Sequence, residues 1–209
     1  MKSLSFCLIL IIGFCNTLFA QTNRSCPGIV RINGTMNFYN SVKMADDYSQ
    51  NGTLGCSVDF GAKQFLGQSN LFLEETIGFV YSELPFLERM LFDPYPGFKE
   101  PYVFGDKGHE TGASASFFAG YQFPLKNNLS IDVFAGPDFR YLFNYKSGVD
   151  SEKKYLHKTN LRLKAGANLN IKNLSISLFA SPDLLDRGKD YKRYRTILVG
   201  IGMGYYFKW

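Results

Sequence analysis

The sequence predicts an all-β fold: an eight-stranded antiparallel up-and-down β-barrel of the transmembrane type. Three features of its 209 residues predict this. Apolar residues alternate with polar or small ones along eight segments, the links between segments alternate between short and long, and the polar phase is rich in glycine. After residue 20 no apolar run reaches the roughly 20 residues a spanning helix needs, and a mean hydropathy of −0.11 is too low for a bundle of such helices. A chain of this kind enters a membrane only as a closed barrel, because a closed sheet leaves no backbone N–H or C=O unpaired in lipid.

Residues 1–20 stand apart from the fold. Lys2 is followed by an apolar run from Leu4 to Phe14 and then by Leu18, Phe19, Ala20 and Gln21, the pattern of a secretory signal peptide with Ala20 at the cleavage point. Its removal leaves residues 21–209 as one barrel domain of 209 − 20 = 189 residues, and the net charge falls from +5 to +4 with Lys2. A charge this modest implies no nucleic-acid partner. Cys7 and Cys15 leave with the signal, so Cys26 and Cys56 remain.

Period two places the strands in order. Segments 28–40 and 52–66 come first, the second carrying Val58, Phe60 and Ala62 on one face. In 70–84 the phase of Leu71, Leu73, Ile77, Phe79 and Tyr81 also includes Glu75, and 111–125 aligns Ala113, Ala115, Phe117, Ala119, Tyr121 and Phe123. In 128–143, Leu129, Ile131, Val133, Ala135, Phe139, Tyr141 and Phe143 alternate with Ser130, Asp132, Gly136, Asp138 and Arg140. Segment 159–172 alternates most cleanly, with Leu161, Leu163, Ala165, Ala167, Leu169 and Ile171 against Arg162, Lys164, Gly166, Asn168, Asn170 and Lys172. Segment 174–186 is seventh. The last fifteen residues set Ile197, Val199, Ile201, Met203, Tyr205, Phe207 and Trp209 against Thr196, Gly200, Gly202, Gly204 and Lys208.

Short links fall at 67–69, 126–127 and 172–173, and long ones at 41–51, 85–110, 144–158 and 187–194, the asymmetry of a barrel inserted from one side of a membrane. The asparagines of Lys126-Asn127-Asn128 and Lys172-Asn173 suit tight turns because they tolerate positive φ. The link 85–110 is rich in Pro and aromatics; were Leu84-Pro85-Phe86-Leu87 to begin a strand, the count would be ten.

A soluble lipocalin-like barrel or β-sandwich shares the alternation, and the polar phase separates the two readings. Gly55, Gly61, Gly78, Gly112, Gly120, Gly136, Gly166, Gly200, Gly202 and Gly204 all fall in it, too many for a solvated surface and fitting for the inside of a narrow barrel. The apolar phase has aromatic ends resembling the girdles of membrane barrels: Tyr121, Phe123, Tyr205, Phe207 and Trp209 at one end, and Phe38, Tyr81, Phe139, Tyr141 and Phe143 at the other.

The inward phase then holds Asp59, Lys63, Glu74, Asp132, Asp138, Arg140, Arg162, Lys164 and Asp183. Eight strands enclose only enough space for side chains, so these charges are expected to pair across the lumen as a polar plug. A path for protons or ions through them is the alternative. If the first two strands form a hairpin, facing residue numbers sum to about 92, which places Cys56 near Met36 and too far from Cys26 for a disulfide. Catalysis has one opening: His109 and His157 near strand ends, with Glu110, Ser114, Ser116 and Thr159 close in sequence, and no nucleophile elbow. No metal-ligand cluster and no phosphate-binding glycine loop is present, so no cofactor is expected.

The signal peptide, the eight segments, the run Phe134-Ala135-Gly136-Pro137-Asp138-Phe139 and the ending Gly200-Ile201-Gly202-Met203-Gly204-Tyr205-Tyr206-Phe207 together resemble an outer-membrane β-barrel domain family widespread in Bacteroidetes, whose members are labelled porin-family or PorT-family proteins. The resemblance spans the mature chain and implies an outer-membrane location. Met203, Tyr205, Phe207 and Trp209 also resemble the C-terminal signal recognised by the outer-membrane assembly machinery, which the resemblance implies as a transient partner. In that setting the loops 144–158 and 187–195 are the informative surface. Lys146, Lys153, Lys154, Lys158, Arg187, Lys189, Lys192, Arg193 and Arg195 stand against Asp150, Glu152 and Asp190, nine cations to three acids, or +6. Such loops suit the phosphates of lipopolysaccharide or an acidic ligand. The expected role is therefore structural or surface-binding and non-catalytic, with a narrow channel and a lipid-modifying enzyme as the competing classes.

Overall fold

The computed structural model describes residues 26–41, 53–84, 108–146, 157–185 and 194–208. Eight strands, β1 (Gly28–Ser41), β2 (Thr53–Phe65), β3 (Leu71–Leu84), β4 (Gly108–Pro124), β5 (Leu129–Lys146), β6 (Thr159–Ile171), β7 (Leu174–Pro182) and β8 (Tyr194–Phe207), pair antiparallel in chain order and close β8 onto β1. The expected signal peptide, the segment 85–107 with its optional strands, and Trp209 lie outside the described residues.

The closure has a definite stagger. Partners followed around the barrel run from Ile29 through Gly61, Thr76, Ser116, Asp138, Arg162, Asp183 and Thr196 to Tyr39, so one circuit climbs 39 − 29 = 10 residues along β1. Strands in such a barrel tilt by about 40°. Even a tilted strand of 13 or 14 residues, such as β6 or β8, exceeds the ~10 residues that cross a bilayer.

The distribution of side chains is inverted relative to a water-soluble protein. Outward residues are apolar, with Ile77, Phe79, Met203 and Leu178 each more than 60% exposed, whereas Arg31, Asn33, Asp132, Arg162 and Asn168 are at most 1% exposed. A soluble barrel would carry its charges outside, so this surface is that of a membrane-spanning barrel. Exposed Tyr121, Phe123 and Tyr205 sit at the short-link end and Phe38, Tyr81, Tyr141 and Phe143 at the other; Phe139 and Phe207 face outward but are half-buried. Glu75 also faces outward and is half-buried.

Several boundaries differ from those expected. β4 begins at Gly108, which takes His109 and Glu110 out of the long link and into the strand, and β5 extends to Lys146 opposite them, across a register shift between Thr111 and Gly112. β7 ends at Pro182, and Asp183 contributes only a bridge to Arg162. The β1–β2 hairpin pairs Cys56 with Gly34 and not with Met36, because the numbers sum to 90. Both cysteines are free, Cys56 on the outer face and Cys26 donating to the carbonyl of Lys63 at 3.3 Å. Burial and, second, the charge of Glu75 raise the pKa of Cys26. In the turns Asn127 and Asn128 take positive φ, but in the last hairpin it is Lys172 (φ 53°) and not Asn173 that does so.

One row of register partners fixes the bore. From β3 onward it reads Phe72, Gly120, Phe134, Gly166, Phe179, Gly200, Thr35 and Gly55, an aromatic or Thr on each odd strand and glycine on each even one. A Cβ at Gly120 would strike the ring of Phe72, and one at Gly200 the ring of Phe179. With Phe118, 5.1 Å from Phe134, and Leu198, these rings form a buried cluster inside a polar lumen.

Gly200→Val should therefore lower unfolding stability in lipid vesicles by about 1–3 kcal/mol, whereas Gly34→Ala, whose new methyl meets nothing within 4 Å, should change it by less than about 0.5 kcal/mol. Equal losses in urea titrations would refute the fitted row. In vesicles a charged maleimide should leave Cys56 unmodified, as mapped by peptide mass, and label it after boiling in detergent; labelling in intact vesicles would place that face in water.

Candidate functional site

The chemistry-bearing residues of the described barrel converge in its lumen. Alternation on each strand turns Asp59, Lys63, Glu74, Asp132, Asp138, Arg140, Arg162, Lys164 and Asp183 inward, and each is buried. Removing ions from water is costly unless each meets a counter-ion and further hydrogen bonds. That constraint organises the whole set.

Toward the short-link end, Lys63 Nζ lies 2.6 Å from Asp132, across the barrel from β2 to β5. Asp132 also accepts hydrogen bonds from Asn170 at 2.7 Å and Gln122 at 3.1 Å. The ammonium is held against aromatic faces, 4.0 Å from the centroid of Phe72, with Phe65 and Tyr206 beyond. Such cation–π contacts replace part of the lost hydration. Beside it Arg31 donates to Glu74 at 2.9 Å. Midway up, Lys164 lies 4.2 Å from the Phe179 ring and 3.9 Å from Asp59, which also accepts from Asn33 at 2.8 Å. Asp138 accepts from Ser116 at 2.7 Å and Arg140 at 3.1 Å.

Near the long-link end Asp183 accepts from Arg162 at 2.6 Å, from Asn160 at 2.7 Å, and from both the hydroxyl and the backbone N–H of Thr196 at 2.7 Å. A carboxylate with four donors is a fixed structural node. Its position just past β7 explains why period-two reading alone still turned it inward: the bridge to Arg162 continues the ladder by one residue.

Two kinds of lumen residue escaped sequence reasoning. Arg31 is as buried as Arg162; its signal was the triplet Val30-Arg31-Ile32, a single cation between apolar neighbours. The inward Phe72, Phe118, Phe134 and Phe179 were hidden because aromatic side chains also mark the lipid phase. Their signal lay in the glycine opposite each of three of them.

The other singled-out residues are not brought together in this way. His109 faces outward and stacks on Tyr81 with centroids 6.0 Å apart, while Ser114, Ser116 and Glu110 face the lumen, so the wall of the barrel separates the histidine from both hydroxyls. His157 and Thr159 are exposed. Of the basic loop residues, Lys158 and Arg195 are exposed, Arg195 on β8 itself and Lys146 at the end of β5; Lys153, Lys154, Arg187, Lys189, Lys192 and Arg193, and the Lys146 side chain, lie outside the described residues. Met203 and Tyr205 are on the outer face of β8.

No family model matches the chain, and no curated protein sequence does. Solved structures with a similar fold include the attachment invasion locus protein Ail of Yersinia pestis, 14% identical over 88% of this chain and 100% of that one with a TM-score of 0.49. They also include the Neisserial surface protein A, 13% identical over 85% and 96% with a TM-score of 0.48. The outer membrane enzyme PagL is 9% identical over 84% and 98%, again with a TM-score of 0.48. At these identities nothing about activity passes from them to this chain.

Breaking one buried pair tests the network. Glu74→Ala strands the Arg31 guanidinium and should cost about 3–5 kcal/mol, whereas the double change Arg31→Met/Glu74→Leu should regain most of that loss. Urea unfolding followed by circular dichroism measures both; a double variant no more stable than the single one would show that the ion pair is not what Glu74 supplies.

Proposed function

We propose that the chain is an outer-membrane barrel with a structural or surface-binding role and no catalytic activity, a member of the Bacteroidetes family it resembles. Its ligand-contacting surface is the set of basic outer loops, facing lipopolysaccharide or another acidic polymer, and its assembly uses the machinery that reads the C-terminal strand. The single observation behind this is the filled lumen: among the described residues five buried ion pairs and a cluster of four phenylalanines occupy the bore, so the barrel acts through its surfaces. The basic loops support the partner class, since nine cations against three acids in the two links 144–158 and 187–195 favour crowded phosphates or sulfates.

A second reading, a narrow conduit, has one observation in its favour. The side chains of Asn168 and Ser177 are buried with no hydrogen-bond partner among the described residues, and groups of that kind are satisfied by internal water.

Three measurements on purified protein decide between them. The protein extracted from membranes should migrate differently before and after boiling in detergent, and in planar bilayers it should give no stepwise conductance. It should also co-sediment with lipopolysaccharide in a salt-sensitive way, and changing Lys153, Lys154, Lys189 and Lys192 to Gln should weaken that association on the order of tenfold. Stepwise conductance would favour the conduit; loss of the heat shift would remove the membrane reading; binding unaffected by the four substitutions would remove the loops from it.

A further inference from the structure

One cation of the lumen lacks the partners its neighbours have. Arg31, Lys63, Arg140 and Arg162 each donate a hydrogen bond to a carboxylate, at 2.6 to 3.1 Å. Lys164 is as deep in the wall and donates none among the described residues. Its nearest carboxylate oxygen there, Asp59 Oδ2, is 3.9 Å away and already accepts from Asn33 at 2.8 Å. The rings of Phe179 and Phe118, 4.2 and 5.3 Å from Nζ, attract its charge without accepting its hydrogens in line. An ammonium carries three N–H donors and no acceptor, and leaving it unpaired in a buried place is costly.

The wall that Lys164 reaches toward is thinly furnished. One row of register partners on β2 to β5 reads Asp59, Gly78, Ser114 and Arg140, so only a glycine and a serine stand between the carboxylate and the guanidinium. A Cβ at Gly78 would strike Asp59 Oδ1, with Ser114 Oγ next to it, so the carboxylate leans over the glycine. Arg140 uses Nε on Asp138, and its two Nη groups donate to nothing among the described residues. The side chains of Lys164, Asp59 and Arg140 keep 5%, 6% and 9% of their surface, against at most 3% in the pairs Arg31–Glu74, Lys63–Asp132 and Arg162–Asp183. All three point inward, so that residual surface borders space inside the bore.

The unused capacity around this space is lopsided. Lys164 and the Nη groups of Arg140 offer seven N–H donors, and the facing acceptor is Asp59 Oδ1. The other charges that bear on Lys164, Asp138 and Arg31, are engaged with Ser116 and Arg140 and with Glu74. A water molecule would bring two more donors into a space already rich in them; an anion brings none.

We propose that the lumen binds one small monovalent anion of halide size, held by Lys164 and Arg140 with the Ser114 hydroxyl as a further donor. The site is separate from the outer loops and goes beyond the surface role proposed above: it is a resident ion that completes the charge network of the bore.

The test is urea unfolding of the barrel in detergent, in sodium chloride and in sodium gluconate of equal ionic strength, gluconate being too bulky for the site. The midpoint should rise with chloride and not with gluconate; at a chloride concentration about ten times the dissociation constant, the folding equilibrium constant should be about tenfold larger. Lys164→Met, whose side chain can lie between the same two rings, should remove the chloride dependence. Asp59→Asn, which removes the acid competing for the ammonium, should lower the half-saturating chloride concentration. Equal midpoints in the two salts overturn the proposal, as does a chloride effect that survives in Lys164→Met. A folded Asp59→Asn barrel that has lost the effect also overturns it, since that is the sign expected of a cation site. Each variant is first checked for the heat-dependent gel shift. Should Lys164→Met not fold, wild-type crystals grown in bromide decide: anomalous scattering beside Lys164 Nζ and Arg140 supports the site, and its absence there refutes it.

Discussion

Along the row from Phe72 to Gly200 the bore has no room for large side chains on neighbouring strands, and much of the packing follows from that. Eight strands staggered by ten residues enclose a lumen that side chains must fill completely. Around the row that begins at Phe72, the conflict is resolved by strict division of space, with a ring on one strand and a bare glycine backbone on the next. The glycines contribute room, and the rings occupy it. Their faces are then available to Lys63 and Lys164, which lie 4.0 Å and 4.2 Å from Phe72 and Phe179. The aromatic row is thus both the packing of the lumen and part of the solvation shell of its two lysines.

The charges obey the same constraint in another form. An ion in so narrow a space cannot keep its water, and it can reach a counter-ion only on a strand that the stagger brings to its own height. Lys63 reaches Asp132 from β2 to β5, and Lys164 reaches Asp59 from β6 to β2, both across the bore and not along the ladder. Arg162 and Asp183 instead meet side by side through an isolated bridge. Cross-lumen pairs couple strands that share no backbone hydrogen bonds. Opening the barrel would strand several ions at once, which is why the network and the closure of the sheet are one structure energetically.

How much of this the sequence disclosed depends on what period two can and cannot carry. Parity decides which face a residue occupies, so every strand segment and the inward turn of residues such as Asp59, Arg140 and Lys164 could be read from alternation alone. Parity is blind to a slip of two. The β1–β2 register differed by that amount, placing Cys56 opposite Gly34 instead of Met36 while leaving every residue on its face. Alternation is also blind to chemistry that serves both phases. A phenylalanine fits lipid and lumen equally, so Phe118 and Phe134 announced themselves only through their neighbours, and Arg31 passed unnoticed because a lone cation within an apolar triplet carries no run to detect. The turn at Lys172 was opaque for a different reason: which of two adjacent residues takes positive φ is set by the hairpin's twist, and asparagine was the better guess on intrinsic preference.

The division of labour between the two faces has a functional corollary. In the lumen Asp132 accepts from three donors and Asp183 from four, which ties both carboxylates into the wall of the barrel. On the function proposed above, the chemistry that a wide barrel performs inside falls to the ends and to the outer wall. There the sequence places the lysines of the short turns at one rim and the two basic links, 144–158 and 187–195, at the other. Both rims of a spanning barrel meet phosphate-bearing lipids, and a chain basic at both ends with an apolar wall between is matched to each surface of a bilayer. On the function proposed above, its positive charge answers to what surrounds the barrel more than to anything that passes through it.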